Sequence, residues 1–275
     1  MLPRAEASLA GLAAGQWGLF TAAQAQQEGL TRAQLTRLVQ AEVVERCSHG
    51  VYLIRGAGTD ALLDLRAAWL HLDPARTAAD RLGDGPAGPV ISHASAANLL
   101  GLGDLDADRY EFTVPVRKQT RRADVLLHRG QLAAADVVVR DGLPVTRPER
   151  TVIDLLAAGH DGEHVAGVLG AAVRNRAIDV HEVARRIGPF AARYGCPAGD
   201  GDRLLDQLLR LDGAVEDALA DLLADALRAS GATTDRPLTQ IDVGYLACRL
   251  AVHLDLSAQH KETTADRESS RSGVG

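Results

Sequence analysis

The sequence predicts an α+β fold, and three observations predict it. Two helix-start signals stand in tandem near the beginning, each an apolar residue, a Thr, and a Gln three positions after the Thr. They are Phe20-Thr21-Ala22-Ala23-Gln24 and Leu30-Thr31-Arg32-Ala33-Gln34. Short β-branched runs come next, at 43–54 and again between 110 and 139, separated by Gly-bearing turns. Around them lie segments whose apolar residues recur at helical spacing, such as Leu62 to Leu72 and Val152 to Leu156. In order these give an N-terminal winged helix-turn-helix (1–56), a central mixed α/β domain (57–189) and a C-terminal helix plus β-hairpin (190–260), ahead of a polar tail (261–275).

The N-terminal part rests on capping. In each Thr-x-x-Gln box the hydroxyl accepts a backbone N–H three residues on, while the Gln side chain reaches back to the Thr N–H. Gly29 lies between the boxes, where the first helix needs a residue tolerant of positive φ. Two short helices joined this way form a helix-turn-helix, whose commonest use is to present the second helix to the DNA major groove. That second helix places Leu35, Leu38 and Val39 on one face, with Leu30 and Leu35 at staple positions. Its other face offers Arg32, Thr36, Arg37 and Gln40, types that hydrogen-bond base edges or phosphates. Val43–Arg46 and Val51–Ile54 flank Cys47-Ser48-His49-Gly50 as a hairpin, the wing, with His49 at its turn.

Charge qualifies this reading. Residues 1–55 carry five Arg against four Glu, and the chain as a whole has a net charge of −6. Phosphate contacts supply most non-specific affinity, so such a module binds double-stranded DNA weakly alone. Specific binding then calls for a homodimer on DNA or a second basic surface. The balance also argues against a general nucleic-acid coat. Only 3% of residues are aromatic against 46% hydrophobic, so the cores are built mainly of Leu, Val and Ala. Cys47, Cys196 and Cys248 are an odd number of widely spaced thiols, which suits the cytoplasm. Met1 to Ala10 lacks a signal-peptide layout, and no apolar run approaches membrane-span length, so no membrane association is expected.

In the centre, Leu62 to Leu72 reads as a helix with Leu62, Leu65, Ala68, Trp69 and Leu72 inward, and Arg81 to Pro89 as a loop. Ser92 caps a small-residue helix that Gly101 ends. Tyr110 to Val114 alternates as a half-buried strand, Val125 to His128 and Val137 to Val139 are further strands, and Asp141-Gly142 is a turn. Thr146 then N-caps a helix with Glu149 at its third position and Val152, Ile153, Leu155 and Leu156 inward. His93 and Ser95 suggest a base and nucleophile, but residues two apart at a helix start do not face each other, and no carboxylate is placed in sequence to orient the His. Capping and packing account for them. Arg117-Lys118-Gln119-Thr120-Arg121-Arg122, between two strands, is either a solvated turn or a contact for phosphates or an acidic partner. Arg117, Lys118, Arg121 and Arg122 are thus candidate supports for the winged helix.

These residues resemble a family. Gly18-Leu19-Phe20-Thr21 through Gly50-Val51-Tyr52 is similar to the winged helix of AbiEi-type antitoxins of type IV toxin–antitoxin systems. His93-Ala94-Ser95-Ala96-Ala97 resembles the start of the antitoxin domain that comes next there, and Asp141-Gly142-Leu143-Pro144-Val145-Thr146-Arg147-Pro148-Glu149-Arg150-Thr151 its end. The resemblance spans residues 10–187. It implies a cytoplasmic regulator that binds its own promoter through the winged helix, with a downstream domain that helps neutralise a nucleotidyltransferase-like toxin.

In the C-terminal third, Gly195 to Gly201 is a break, Leu204 to Ser230 reads as helix, and two strands come after it at Pro237–Val243 and Cys248–Asp255. The segment resembles a very-short-patch-repair-like endonuclease domain. That family's pattern matches Glu216, Asp242, Asp255 and His260, which would hold Mg²⁺ at a scissile phosphate. His253 stands where the family has a carboxylate, Leu256 replaces a Gly, and the chain stops soon after Arg267. Mg²⁺ prefers oxygen ligands, so the His weakens such a site. The resulting expectation is a degenerate nuclease fold with no cofactor. The alternatives are a Mg²⁺-dependent endonuclease targeted by the winged helix, and a protein-binding platform without DNA.

Overall fold

A computed structural model describes residues 2–175 and 177–212. It is mixed helix and sheet, an α+β arrangement. The N-terminal module comprises α1 (Leu2–Ala14), β1 (Leu19–Thr21), α2 (Ala22–Gln27), α3 (Arg32–Gln40), β2 (Val44–Ser48) and β3 (Val51–Ile54). Both capping boxes form. Thr21 Oγ1 accepts from Gln24 N at 3.1 Å, Thr31 Oγ1 accepts from Gln34 N at 3.3 Å, and each Gln Oε1 accepts from its Thr N. Gly29 has φ +89° just past α2. Leu30 and Leu35 bury together with Leu9, Ala13, Phe20, Ala25 and Val44. The hairpin gains a third strand unseen in the sequence pattern: β1 pairs antiparallel with β3, in the order β1-β3-β2. Three residues running directly into a capped helix are too few to show a period of two.

Polar groups join this module to the central region. Gln24 Nε2 donates to the Arg76 carbonyl at 2.9 Å, and Gln16 Oε1 accepts from Ala78 N at 3.1 Å. The two amides also bond each other, Gln16 Nε2 to Gln24 Oε1 at 2.8 Å, and both are buried. The first capping box therefore serves twice, as a helix start and as a joint.

The central region contains α4 (Leu63–Leu72), α5 (Ala78–Leu82), β4 (Val90–Ile91), α6 (His93–Leu100), β5 (Tyr110–Val114), β6 (Val125–Arg129), β7 (Val137–Arg140) and β8 (Leu143–Thr146). The five strands lie in the order β6-β5-β4-β8-β7. Pairs β5–β6 and β4–β8 are parallel, β4–β5 and β7–β8 antiparallel. One sheet face, with Ile91, Phe112, Val125 and Val145, packs on Ala68, Trp69 and Leu70 of α4 and on Leu19, Val51 and Leu53 of the winged module.

Several local expectations change. Arg81 belongs to α5, not a loop: its guanidinium lies 3.6 Å over the Trp69 ring and donates to the Trp69 carbonyl at 2.8 Å. Burial pushes its pKa down to about 10. β5 is not half-buried, because helices cover the second face as well. Thr146 ends β8 and bonds Thr151 Oγ1 at 2.8 Å, so Arg147 holds the N-cap position and Pro148 opens the helix. Ser92 stands at the N-cap of α6 but gives it no side-chain bond. Its hydroxyl faces Thr113 and His93 instead.

A helical layer completes the chain: α7 (Pro148–Ala158), α8 (Gly162–Arg174), α9 (Val180–Ile187) and α10 (Gly201–Asp212). The break read near residue 190 falls inside this layer, since Ile187, Ala191, Cys196, Leu204 and Leu208 share one apolar core with Leu155 and Leu169. At the α9–α10 crossing a Cβ on Gly201 would stand 2.0 Å from the Ala184 carbonyl oxygen, so only glycine fits. No described helix is long and apolar enough to cross a membrane. Glu216, Asp242, Asp255 and His260 lie outside the described residues, as do the expected C-terminal strands.

Candidate nucleic-acid interface

The exposed face of α3 is fixed by what the other face buries. Leu35 is buried and Leu38 and Val39 half-buried, leaving Arg32, Thr36, Arg37 and Gln40 exposed together. Arg32, Thr36 and Gln40 succeed one another at four-residue steps along one stripe, with Arg37 beside it. The Thr36 hydroxyl donates to the Arg32 carbonyl at 2.9 Å, so it remains an acceptor toward a ligand. Among the described residues, neither Arg32 nor Arg37 is held in an ion pair. Glu42, at φ +56°, turns the chain from α3 into the wing, and its carboxylate is taken by Arg55 at 2.7 Å.

The wing turn is anchored to the helices, because Ala22 N donates to the Gly50 carbonyl at 2.9 Å. His49 is exposed there, with Arg46 Nη2 3.1 Å from its Nδ1. The basic loop between β5 and β6 arrives beside it. Arg122 Nη1 donates to Ser48 Oγ at 3.3 Å, while its Nε donates to Asp124 Oδ1 at 3.0 Å. A cleft of 490 Å³ lies between wing and loop, lined among others by His49, His71, Lys118, Arg121 and Arg122. Burial, then the neighbouring Arg122 charge, push His71 below its ordinary value against the weaker pull of a hydrogen bond to the His49 backbone and of Asp124.

The four loop cations differ in availability. Lys118 Nζ donates to the Leu72 carbonyl at the end of α4, and desolvation there lowers its pKa. Arg122 is committed to Asp124 and Ser48. Arg117 and Arg121 are exposed and outside any ion pair among the described residues. The structure thus brings His49, Arg121 and Arg122 together at the cleft beside the wing, which the α3 residues do not line. Sequence reading missed Arg46 and His71. Arg46 carried a signal, its place in the hairpin three residues before His49. His71 carried none, since its position depends on α4 packing against the wing.

The catalytic pairing of His93 with Ser95 is absent. Ser95 Oγ accepts from Glu111 N at 2.9 Å and donates to the Arg109 carbonyl, whereas His93 stacks on His128 with ring centroids 3.6 Å apart.

Helix, turn, helix and wing in this geometry have a counterpart among known families. Residues 9–55 match the family model described as transcriptional regulator, AbiEi antitoxin. The AbiEi match begins within α1 and closes just after β3, so it contains the whole exposed α3 face and the wing. The motifs between residues 93 and 151 lie outside it. No curated protein matches the chain. A solved structure, titled the crystal structure of RV2827C protein from Mycobacterium tuberculosis, aligns at 20% sequence identity over 77% of this chain and 78% of that one, with a TM-score of 0.48.

Proposed function

We propose that this chain is a DNA-binding transcriptional regulator of the antitoxin kind, which reads promoter DNA through its winged helix as a homodimer and opposes a nucleotidyltransferase-like toxin. One observation carries the reading: inside the segment that matches AbiEi regulators, a doubly capped helix-turn-helix presents Arg32, Thr36, Arg37 and Gln40 to solvent. In a major groove, Arg pairs with guanine O6 and N7 and Gln with adenine N6 and N7. His49 on the wing, with Arg117 and Arg121, supplies backbone contacts that set register.

Fluorescence anisotropy on a duplex from the chain's own upstream region tests this. Arg37→Ala weakens specific binding by about 1–3 kcal/mol, roughly 5- to 150-fold, and relaxes preference at one base pair. Binding by that variant as tight and selective as wild type sinks the assignment. The toxin limb has its own test, relief of growth arrest when the chain is co-expressed with a neighbouring nucleotidyltransferase-like protein.

A further inference from the structure

The second face of the five-stranded sheet carries polar groups where an apolar layer is expected. Val90 pairs with Thr113 and Thr113 with His128 in register. Ser92 N, the next step along β4, donates to the Glu111 carbonyl at 3.1 Å. Alternation therefore puts Ser92, Glu111, Thr113 and His128 on one face. Glu111 and His128 are diagonal neighbours across β5–β6, a separation long side chains span. Glu111 Oε2 lies 2.5 Å from His128 Nε2. His93 opens α6 directly above them, buried, at φ +53°, with its ring 15° from parallel to that of His128 and Nδ1 2.9 Å from Ser92 Oγ. A non-glycine residue there is strained, so the surrounding structure holds it in place.

Each of His93, Glu111 and His128 offers one ligand atom, and the three atoms lie within 4.8 Å of one another. We propose that these three residues form a binding site for a divalent transition-metal ion of the zinc type. Two imidazoles and one carboxylate select such an ion over Mg²⁺ or Ca²⁺, which take oxygen ligands. Three protein ligands leave a fourth position for water or another donor. The proton between His128 and Glu111 occupies the place the ion would take, and binding releases it. Ser92 and its neighbour Thr113, 2.8 Å apart at their hydroxyls, orient His93 from behind. Arg150 faces the site with a like charge, which its pairing with Asp154 at 2.7 Å and Asp136 at 3.3 Å offsets in part.

The test uses the full chain and Co²⁺ or Zn²⁺ alone. Wild type takes up one equivalent of Co²⁺, with visible d–d bands and no thiolate-to-metal charge transfer, and Zn²⁺ displaces it. His128→Gln and Glu111→Gln, near-isosteric and chosen to preserve the fold by circular dichroism, each weaken uptake at least tenfold. The double variant His49→Gln/His71→Gln binds as wild type does. Failure of wild type to bind stoichiometrically overturns the proposal. So does a thiolate band from Cys47, equal uptake by the Gln variants, or loss of uptake in the His49/His71 variant.

Discussion

Lys118 and Arg121 are three residues apart on one basic loop, and charge alone makes them equivalent. Their surroundings do not. Both are exposed, but the Lys118 ammonium donates to the carbonyl that ends α4, whereas the Arg121 side chain makes neither a hydrogen bond nor an ion pair among the described residues. A phosphate contact requires a free cation, so Arg121→Ala is expected to weaken binding about equally on all sequences and to reduce the salt slope by about 1 for each chain bound. Lys118→Ala leaves that slope unchanged and lowers the thermal midpoint, because it frees the loop from α4. Salt titrations of the two variants, alongside melting curves, separate these outcomes, and equal slopes for both would contradict the assignment. The same contrast shows what sequence reading can reach at this scale. The exposure of Arg32, Thr36, Arg37 and Gln40 was legible because helical periodicity is local. The tie from Lys118 to Leu72, the place of His71, and the meeting of His93 with Glu111 and His128 were not. Each depends on strand register or helix packing between residues far apart in the chain.

Elements explain why the loop lies where it does. β5 and β6 are adjacent and parallel, so the chain must return the length of β5 before β6 begins. Residues 115–124 make that return without a helix, and the path carries them past the end of α4 and onto the wing. Sequence gives strand positions but not parallel pairing, so the loop's contact with the wing is invisible in it. Thr146 fails for a related reason. Thr-x-x-Glu is a helix-start signal, yet Thr146 pairs with Val137 in the sheet, and the proline two residues on sets the helix start itself. Asp141-Gly142 does form the turn its composition predicts, and the glycine has a further duty. Gly142 has φ +79°, and a Cβ there would stand 2.9 Å from the Trp17 ring. Trp17 in turn packs edge-on to Trp69 and against Arg66, so this turn seats the winged module on the central sheet. Gly142→Ala combines the left-handed penalty with displacement of an indole, a loss of about 2 kcal/mol or more. The chain has two tryptophans, so denaturant unfolding followed by Trp fluorescence reads both the lost stability and the altered Trp17 environment. An unchanged midpoint and spectrum would show that the contact does not hold the module.

For the whole molecule the controlling quantity is charge. A net −6 opposes a polyanion, and the winged module adds only one positive charge of its own by five Arg against four Glu. On α3 and the basic loop, one protomer offers phosphates or bases a short set whose side chains make neither an ion pair nor a hydrogen bond among the described residues: Arg32, Arg37, Arg117 and Arg121. Counterion release makes log affinity fall with log salt by about 0.9 per phosphate neutralised, so four contacts give a slope of about −4 and eight give about −7. The first value loses little affinity in salt because it has little electrostatic affinity to begin with. The second is what a homodimer on two half-sites supplies, about 34 Å apart if one helical turn separates them. A slope near −7 with two chains per duplex by sedimentation is therefore expected, and Arg121→Ala, present in both protomers, should move it by about 2. A one-to-one complex with a slope near −4 and full specificity would mean that base contacts from α3 alone carry the affinity, and would remove the homodimer from the proposal.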